Sequence, residues 1–386
     1  MINILEILES ETDGKCYTSY RYCADEEFRF PTLSYDEEQA FTIKKDRYGE
    51  TDQSGTTKNL RDYAERIKNS KPLFRFFLDG SRKTYKIDDL EINRRIFPIM
   101  AGQIGVACCE RKSPSQFKCA EMEFSLVLSL PTVANPNVTN SNLFFNALAS
   151  KVNQAKRIQN SNIKFSKILS YNSSKQEDNK KFENLGIATI QDEMIECEKR
   201  IVANLYKKNL LDDKNYLIKD GSLQYTPIKS SDFKELSKFK NHYRSVIGVS
   251  KMFNPELCED RSGKSNADKI ANLGLYHRTP VYMYQSDRVG NVNFAIWYVR
   301  IRDINHTESR FSGVLKIEKI LITDDENENG LDSSEVDMIT ANIINERNPV
   351  CYGKDSRWAN HLYPVYLTES FIKSKYLSDI NFINLF

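Results

Sequence analysis

Apolar residues gather in short runs between residues 73 and 131. Leu73 and Phe74 are separated by Arg75 from Phe76, Phe77 and Leu78, and the run then meets an aspartate and a glycine. A continuous run of this kind predicts a strand covered on both faces and ending at Asp79. The stretch SRKTYKIDDL predicts a turn and a return, and RIFPIMAGQIGVACCER and CAEMEFSLVLSLP predict two further strands. Their short links favour an antiparallel meander. Residues 132–182 change character, with TVANPNVTNSN and QNSNIKFSKILSYNSSKQEDNKK rich in Asn, Ser and Lys. They predict a polar insertion or linker, with some helix around LFFNALASKVNQAKRI. Its Lys and Arg side chains suit either phosphate contacts or a solvated face.

The clearest helix falls at 184–210. Ile187, Ile190, Met194, Cys197, Ile201 and Leu205 recur at spacings of 3, 4, 3, 4 and 4, which places them on one face. NYLIKDGS then predicts a strand, SSDFKELSKFKNHY a helix, and SVIGVSK another strand. PVYMYQS, NFAIWYVRI and GVLKIEKILI add three strands, SSEVDMITANIINER a capped helix, and YPVYLTESFIKSKYL a last helix. The sum is an α/β fold with a mixed sheet flanked by helices. Residues 1–70 read as an N-terminal extension to a domain spanning 71–386. Tyr17, Tyr20, Tyr22, Phe28 and Phe30 within the extension suit either a contact surface or packing on the chain's own core.

Composition narrows the classes. The 386 residues are 40% hydrophobic and 28% charged, with a net charge of +2, so a nucleic-acid surface would be a local patch. No run approaches the roughly 18–20 apolar residues of a membrane span. The acidic start MINILEILESETDG is unlike a signal or transit peptide, and a cytoplasmic address is the expectation. Eight cysteines include no C-x-x-C pair, and there are four histidines. That argues for buried free thiols rather than a zinc site.

The carboxylates carry the candidate chemistry. Asp79 and Asp220 each end an apolar strand and each opens an Asp-Gly-Ser sequence. If the two strands are neighbours, the carboxylates repel unless one is protonated or a cation sits between them. A hard divalent metal with oxygen ligands answers that requirement. At 100° per residue, Glu198 falls in the middle of the helix's apolar stripe, whereas Glu196 points to the opposite side. A glutamate there is either a third metal ligand or the partner of a Lys or Arg. RSGKS at 261–265 is not a phosphate loop, because Cys258 stands where the pattern needs its first glycine. No G-x-S-x-G is present.

In order along residues 73–375, FLDGS, the Glu198 helix, IKDGSL, VIGVSK, LKIEKI and HLYPVYLTES resemble the motifs of the NurA family of nucleases. These have an RNase H-like core and act with HerA, a hexameric ATPase that pumps DNA. The resemblance implies a metal-dependent DNA nuclease using Mn²⁺ or Mg²⁺, a homodimer, and a HerA-type partner. It implies metal ligands at Asp79, Glu198 and Asp220, with Lys251 and Tyr363 lining the site. The family's His or Asp eight residues after that tyrosine is replaced by Phe371, for which Glu369 or His361 would substitute. Arg82, Lys83, Lys86, Lys251, Arg347 and His361 are candidates for holding the nucleic-acid backbone. The departure at Phe371 also admits a DNA-binding subunit without hydrolytic activity, and an RNase H-like enzyme acting on RNA is a further alternative. Repair of DNA ends and defence against invading DNA both suit a nuclease–motor pair.

Overall fold

The long apolar runs build one mixed sheet around which everything else is arranged. The structure is a computed structural model, and it describes residues 3–24, 41–136, 141–161, 163–173, 181–224, 227–349 and 357–386. The meander is formed by Phe74–Ile92 (the Asp79 strand), Arg95–Ser113 and Gln116–Pro131, all antiparallel. Tyr216–Asp220 (the Asp220 strand) lies parallel to the Asp79 strand on its other side, and Val246–Ser250 lies parallel beyond that. A three-stranded meander with two parallel strands added at its first member forms the mixed sheet that the sequence predicts. Val314–Ile320 (the Glu318 strand), Val292–Arg300, Tyr282–Ser286 and Phe41–Tyr48 extend the sheet by antiparallel pairings.

The two faces are covered by different helices. Phe182–Lys207 (the Glu198 helix) buries Ile190, Met194, Cys197, Ile201 and Leu205 against Phe76, Leu78, Ile104 and Val106. The alternate residues of the same strands, Phe77, Ile218, Ile247, Val249 and Ile317, pack with Val336, Ile339 and Ile343 of Ser333–Glu346 and with Val365 of Tyr363–Lys373 (the Glu369 helix). This is the period-2 alternation of a sheet covered on both faces.

Three expectations change. The Asp79 strand does not end at Asp79. It runs 19 residues, and the meander turns at Asn93-Arg94, whose φ angles of 51° and 65° make a tight two-residue hairpin. The polar stretch 132–182 is not only a linker, because Phe165–Tyr171 adds a parallel strand to the meander's edge. The helix Ser141–Val152 within it shares a core with Ile4 and Leu8 near the N-terminus and with Phe382 and Phe386 at the C-terminus. Within 1–70, Lys15–Tyr17 and Tyr22–Cys23 both pair with the Asp79 strand. Tyr17, Tyr20 and Tyr22 are exposed there, while Phe28 and Phe30 lie outside the described residues. Seven cysteines among the described residues are free thiols, and Cys351 lies outside them. Among the described residues no helix is long and apolar enough to cross a membrane.

Candidate active site

The register of two parallel strands brings the aspartates together. Leu78 is paired with Lys219, so the next positions are Asp79 and Asp220. Both follow the alternation that points Phe77 and Ile218 toward the Glu369 helix. Neighbouring strands lie about 4.8 Å apart. The Asp220 strand stops at this point while the Asp79 strand continues, which leaves the pair at a break in the sheet. Asp79 is 4% exposed, and its Oδ2 is buried with no hydrogen-bond partner. Burial pushes its carboxyl well above the ordinary carboxylate range. The charge of Asp220 adds to the rise, Lys251 opposes it, and Glu369 and Glu198 add further.

Lys251 reaches this pair from the end of Val246–Ser250. Its Nζ lies 2.9 Å from Asp220 Oδ2 and 3.6 Å from Glu369 Oε2, and its side chain is 7% exposed. Burial works against its charge, but Asp220, Asp79 and Glu369 outweigh burial and hold the ammonium above its ordinary value. The backbone carrying it is clamped by Asn360, whose Nδ2 donates to the Lys251 carbonyl at 2.5 Å and to the Val314 carbonyl at 3.0 Å. Glu369 is also paired with Lys373 at 2.8 Å. Burial would raise its carboxyl, but Lys251, Lys373 and Arg357 bring it below the ordinary value.

Glu198 comes from the opposite face. It is 3% exposed and sits mid-stripe, as the helix geometry requires. Its Oε2 lies 3.2 Å from Lys219 Nζ, which also donates to the Asp220 carbonyl at 2.7 Å. Of the two readings open for Glu198, ion pairing with a lysine is the contact it makes here. Burial raises its carboxyl, Lys219 opposes the rise, and Asp220 adds to it. By contrast Glu196 is exposed and pairs with Lys199, and Glu193 pairs with Lys167.

The two Asp-Gly-Ser sequences use glycine differently. A Cβ on Gly80 would collide with Glu198 Oε1, so this glycine lets the carboxylate lie against the strand beside Asp79. Gly221 has φ +82° and turns the chain out of the sheet. That turn is held by Glu318, a fully buried carboxylate that sequence reasoning left without a role. Glu318 accepts from Ser222 Oγ at 2.9 and 3.1 Å and from the Leu223 amide at 2.8 Å, and it pairs with Lys316 at 3.0 Å. Ser222 is therefore a structural residue.

The remaining candidates are spread more widely. Tyr363 is half-buried in the first turn of the Glu369 helix, and Phe371 is half-buried with Lys375 over its ring. Arg82 Nε donates to Gln191, Lys83 pairs with Asp379, and Lys86 pairs with Asp89. Arg347 ends Ser333–Glu346 and donates to the Ile344 carbonyl and to Tyr276 Oη. His361 is 1% exposed and packs edge-on against Tyr366, so it presents no exposed group to a nucleic-acid backbone. Lys251 is likewise buried, and it is a partner of carboxylates rather than a surface contact.

Among the described residues no group of three or more His, Cys, Asp or Glu side chains is arranged to hold a metal ion. Lysines engage Glu198, Asp220 and Glu369 there. What fits a hard cation is narrower: the unpartnered Asp79 Oδ2 beside the Asp220 carboxylate, an all-oxygen donor set.

No family model matches the chain, and no curated protein matches it. Among solved structures, the crystal structure of the NurA nuclease from Sulfolobus solfataricus is similar, with a TM-score of 0.39 and 9% identity over 81% of this chain and 86% of that chain.

Proposed function

We propose that this chain is a divalent-metal-dependent nuclease that hydrolyses phosphodiester bonds in DNA at the Asp79–Asp220 pair. The observation that carries the reading is the buried Asp79 oxygen with no hydrogen-bond partner beside a second carboxylate. Such an arrangement is costly for a protein that does not bring a cation to it. Asp79 and Asp220 would hold Mn²⁺ or Mg²⁺, which when bound polarises the phosphodiester and makes water a better nucleophile. Lys251 keeps the Asp220 carboxylate in place, and Asn360 fixes Lys251 in turn. Glu198 sets Lys219, which fixes the Asp220 backbone. Lys83 lies on the Asp79 side of its strand, roughly 13 Å further along at 3.3 Å per residue, where it serves the DNA backbone.

Cleavage assays on DNA and RNA of one sequence, single- and double-stranded, in Mn²⁺ test the substrate. DNA is the expected substrate, and preferential cleavage of RNA would overturn that part of the reading. Glu198→Gln is expected to lower the rate at least tenfold, because losing one charge-assisted bond at a buried site is worth about 1.5–3 kcal/mol. Glu196→Gln is expected to stay within about twofold, as an exposed i,i+3 pair contributes little. Equal effects would remove Glu198 from the site.

The reading extends to assembly as a homodimer working beside a hexameric DNA-translocating ATPase of the HerA type. Light scattering at twice the chain mass and co-migration with such an ATPase are the expected results. A monomer that ignores the ATPase would contradict the assembly and leave the Asp79 centre untouched. A second reading, a DNA-binding subunit without hydrolytic activity, is favoured by the engagement of Glu198 and Glu369 with lysines. Metal-dependent cleavage by the purified chain separates the two.

A further inference from the structure

The Asp79 centre contains buried positive charge of its own. Asp79 and Asp220 come from neighbouring strands of the sheet, Glu198 from one face and Glu369 from the other. Two ammonium groups are buried among them, each no more than 7% exposed. Lys219 lies against Glu198, and Lys251 lies between Asp220 and Glu369. Both are built in rather than draped over the site. Lys219 is tied to the Asp220 carbonyl, and the Lys251 backbone is tied by the buried Asn360. Lys373 also reaches Glu369, but its side chain is 56% exposed and water screens it.

Buried charge left unbalanced is expensive. Between Asp220 and Glu369 positive charge is already supplied by the Lys251 ammonium, 2.9 Å from one and 3.6 Å from the other. The oxygen open to an added cation is localised. Lys251 takes Oδ2 of Asp220, and the oxygen without a partner is Oδ2 of Asp79. A second divalent ion next to Glu369 would have to share its place with the Lys251 ammonium.

Resting on the metal-dependent reading above, we propose that the site takes a single divalent cation at Asp79 and Asp220, and that Lys251 stands in for a second one. The positive charge that a two-metal centre draws from solution on the Glu369 side is here supplied by the chain. Lysine suits this role as a compact point charge that stays protonated between two carboxylates. Glu369 then serves as a positioning residue for Lys251 and is not a ligand of the ion.

Calorimetric titration of the metal-free full chain with Mn²⁺ alone decides the matter. The wild type is expected to bind one ion per chain, Asp79→Asn to bind at least a hundredfold more weakly, and Lys251→Met to bind two. Lys251→Arg, which keeps the charge, is expected to return the count to one. Two ions in the wild type, or one ion in both the wild type and Lys251→Met, would overturn the proposal while leaving a metal-dependent nuclease standing. No binding by a folded wild type would overturn both. Where Lys251→Met fails to fold, Lys251→Gln takes its place, with two ions expected and a single ion overturning the proposal.

Discussion

Asp79→Asn is expected to abolish cleavage and, in the absence of metal, to make the protein more stable. The loss follows from the site: removing a group that holds the ion forfeits several kcal/mol of transition-state stabilisation, or about a thousandfold in rate. The gain follows from burial. The wild-type carboxylate is 4% exposed, lacks a hydrogen-bond partner on Oδ2, and faces Asp220. An amide carries no charge and brings two donors that Asp220 accepts. Relief of a buried unsatisfied group is worth about 1–3 kcal/mol, which corresponds to about 1–4 °C in Tm for a chain of this size. The pH dependence has a definite sign. The folded-state pKa of Asp79 is raised, so the native state binds more protons than the unfolded state between the ordinary and the raised values. Wild-type stability therefore falls as pH rises through that window. The advantage of Asp79→Asn is largest above the raised value and vanishes below the ordinary one, where both side chains are neutral. Thermal melts of both proteins across that range in chelator measure it. A variant less stable than wild type at neutral pH would show that Asp79 has a partner that offsets its burial.

Glu318→Ala is expected to cost both stability and activity. Glu318 is fully buried and is the acceptor for Ser222 Oγ, for the Leu223 amide and for Lys316. Truncation leaves the Lys316 ammonium buried beside an empty space, and breaking a buried pair in this way costs about 3–5 kcal/mol. It also frees the Gly221 turn that immediately follows Asp220. A displacement near 1 Å at a reacting centre lowers rates by roughly a hundredfold. The double variant Lys316→Met/Glu318→Leu separates the two effects. Replacing both charges with apolar groups of similar volume restores most of the stability, but Ser222 and Leu223 still lack their acceptor and cleavage stays low. Denaturant unfolding together with cleavage rates for the three proteins makes the comparison. Full activity in the double variant would mean that the Glu318 latch does not position Asp220.

Some of this was legible in the sequence, and the reasons differ from place to place. The meander and the Asp220 strand were visible because clusters of apolar and aromatic residues, such as those at 76–78 and 216–218, mark them. The Glu198 helix was visible because its stripe keeps a strict helical period. The continuation of the Asp79 strand was hidden by Gly80, which reads as a breaker but in fact makes room for Glu198. The strand at Phe165–Tyr171 was hidden because it buries Phe165, Ile168 and Tyr171 at every third position rather than every second. The roles of Lys219, Glu318 and Asn360 depend on partners dozens to more than a hundred residues away or on the far face of the sheet. Local pattern carries no trace of such pairings. Lys219 in particular sits beside Asp220 in the chain but points to the other face, where it meets Glu198.

The central claim is that the Asp79–Asp220 pair hydrolyses DNA with the help of a divalent ion. The most direct measurement follows end-labelled linear DNA with the purified full chain, first in chelator and then after adding back Mn²⁺ or Mg²⁺, with Asp220→Asn purified in parallel. The expected result is intact DNA in chelator, cleavage after metal is restored, and none from Asp220→Asn under either condition. Cleavage that persists in chelator, cleavage by Asp220→Asn equal to that of wild type, or no cleavage by wild type with either metal would contradict it.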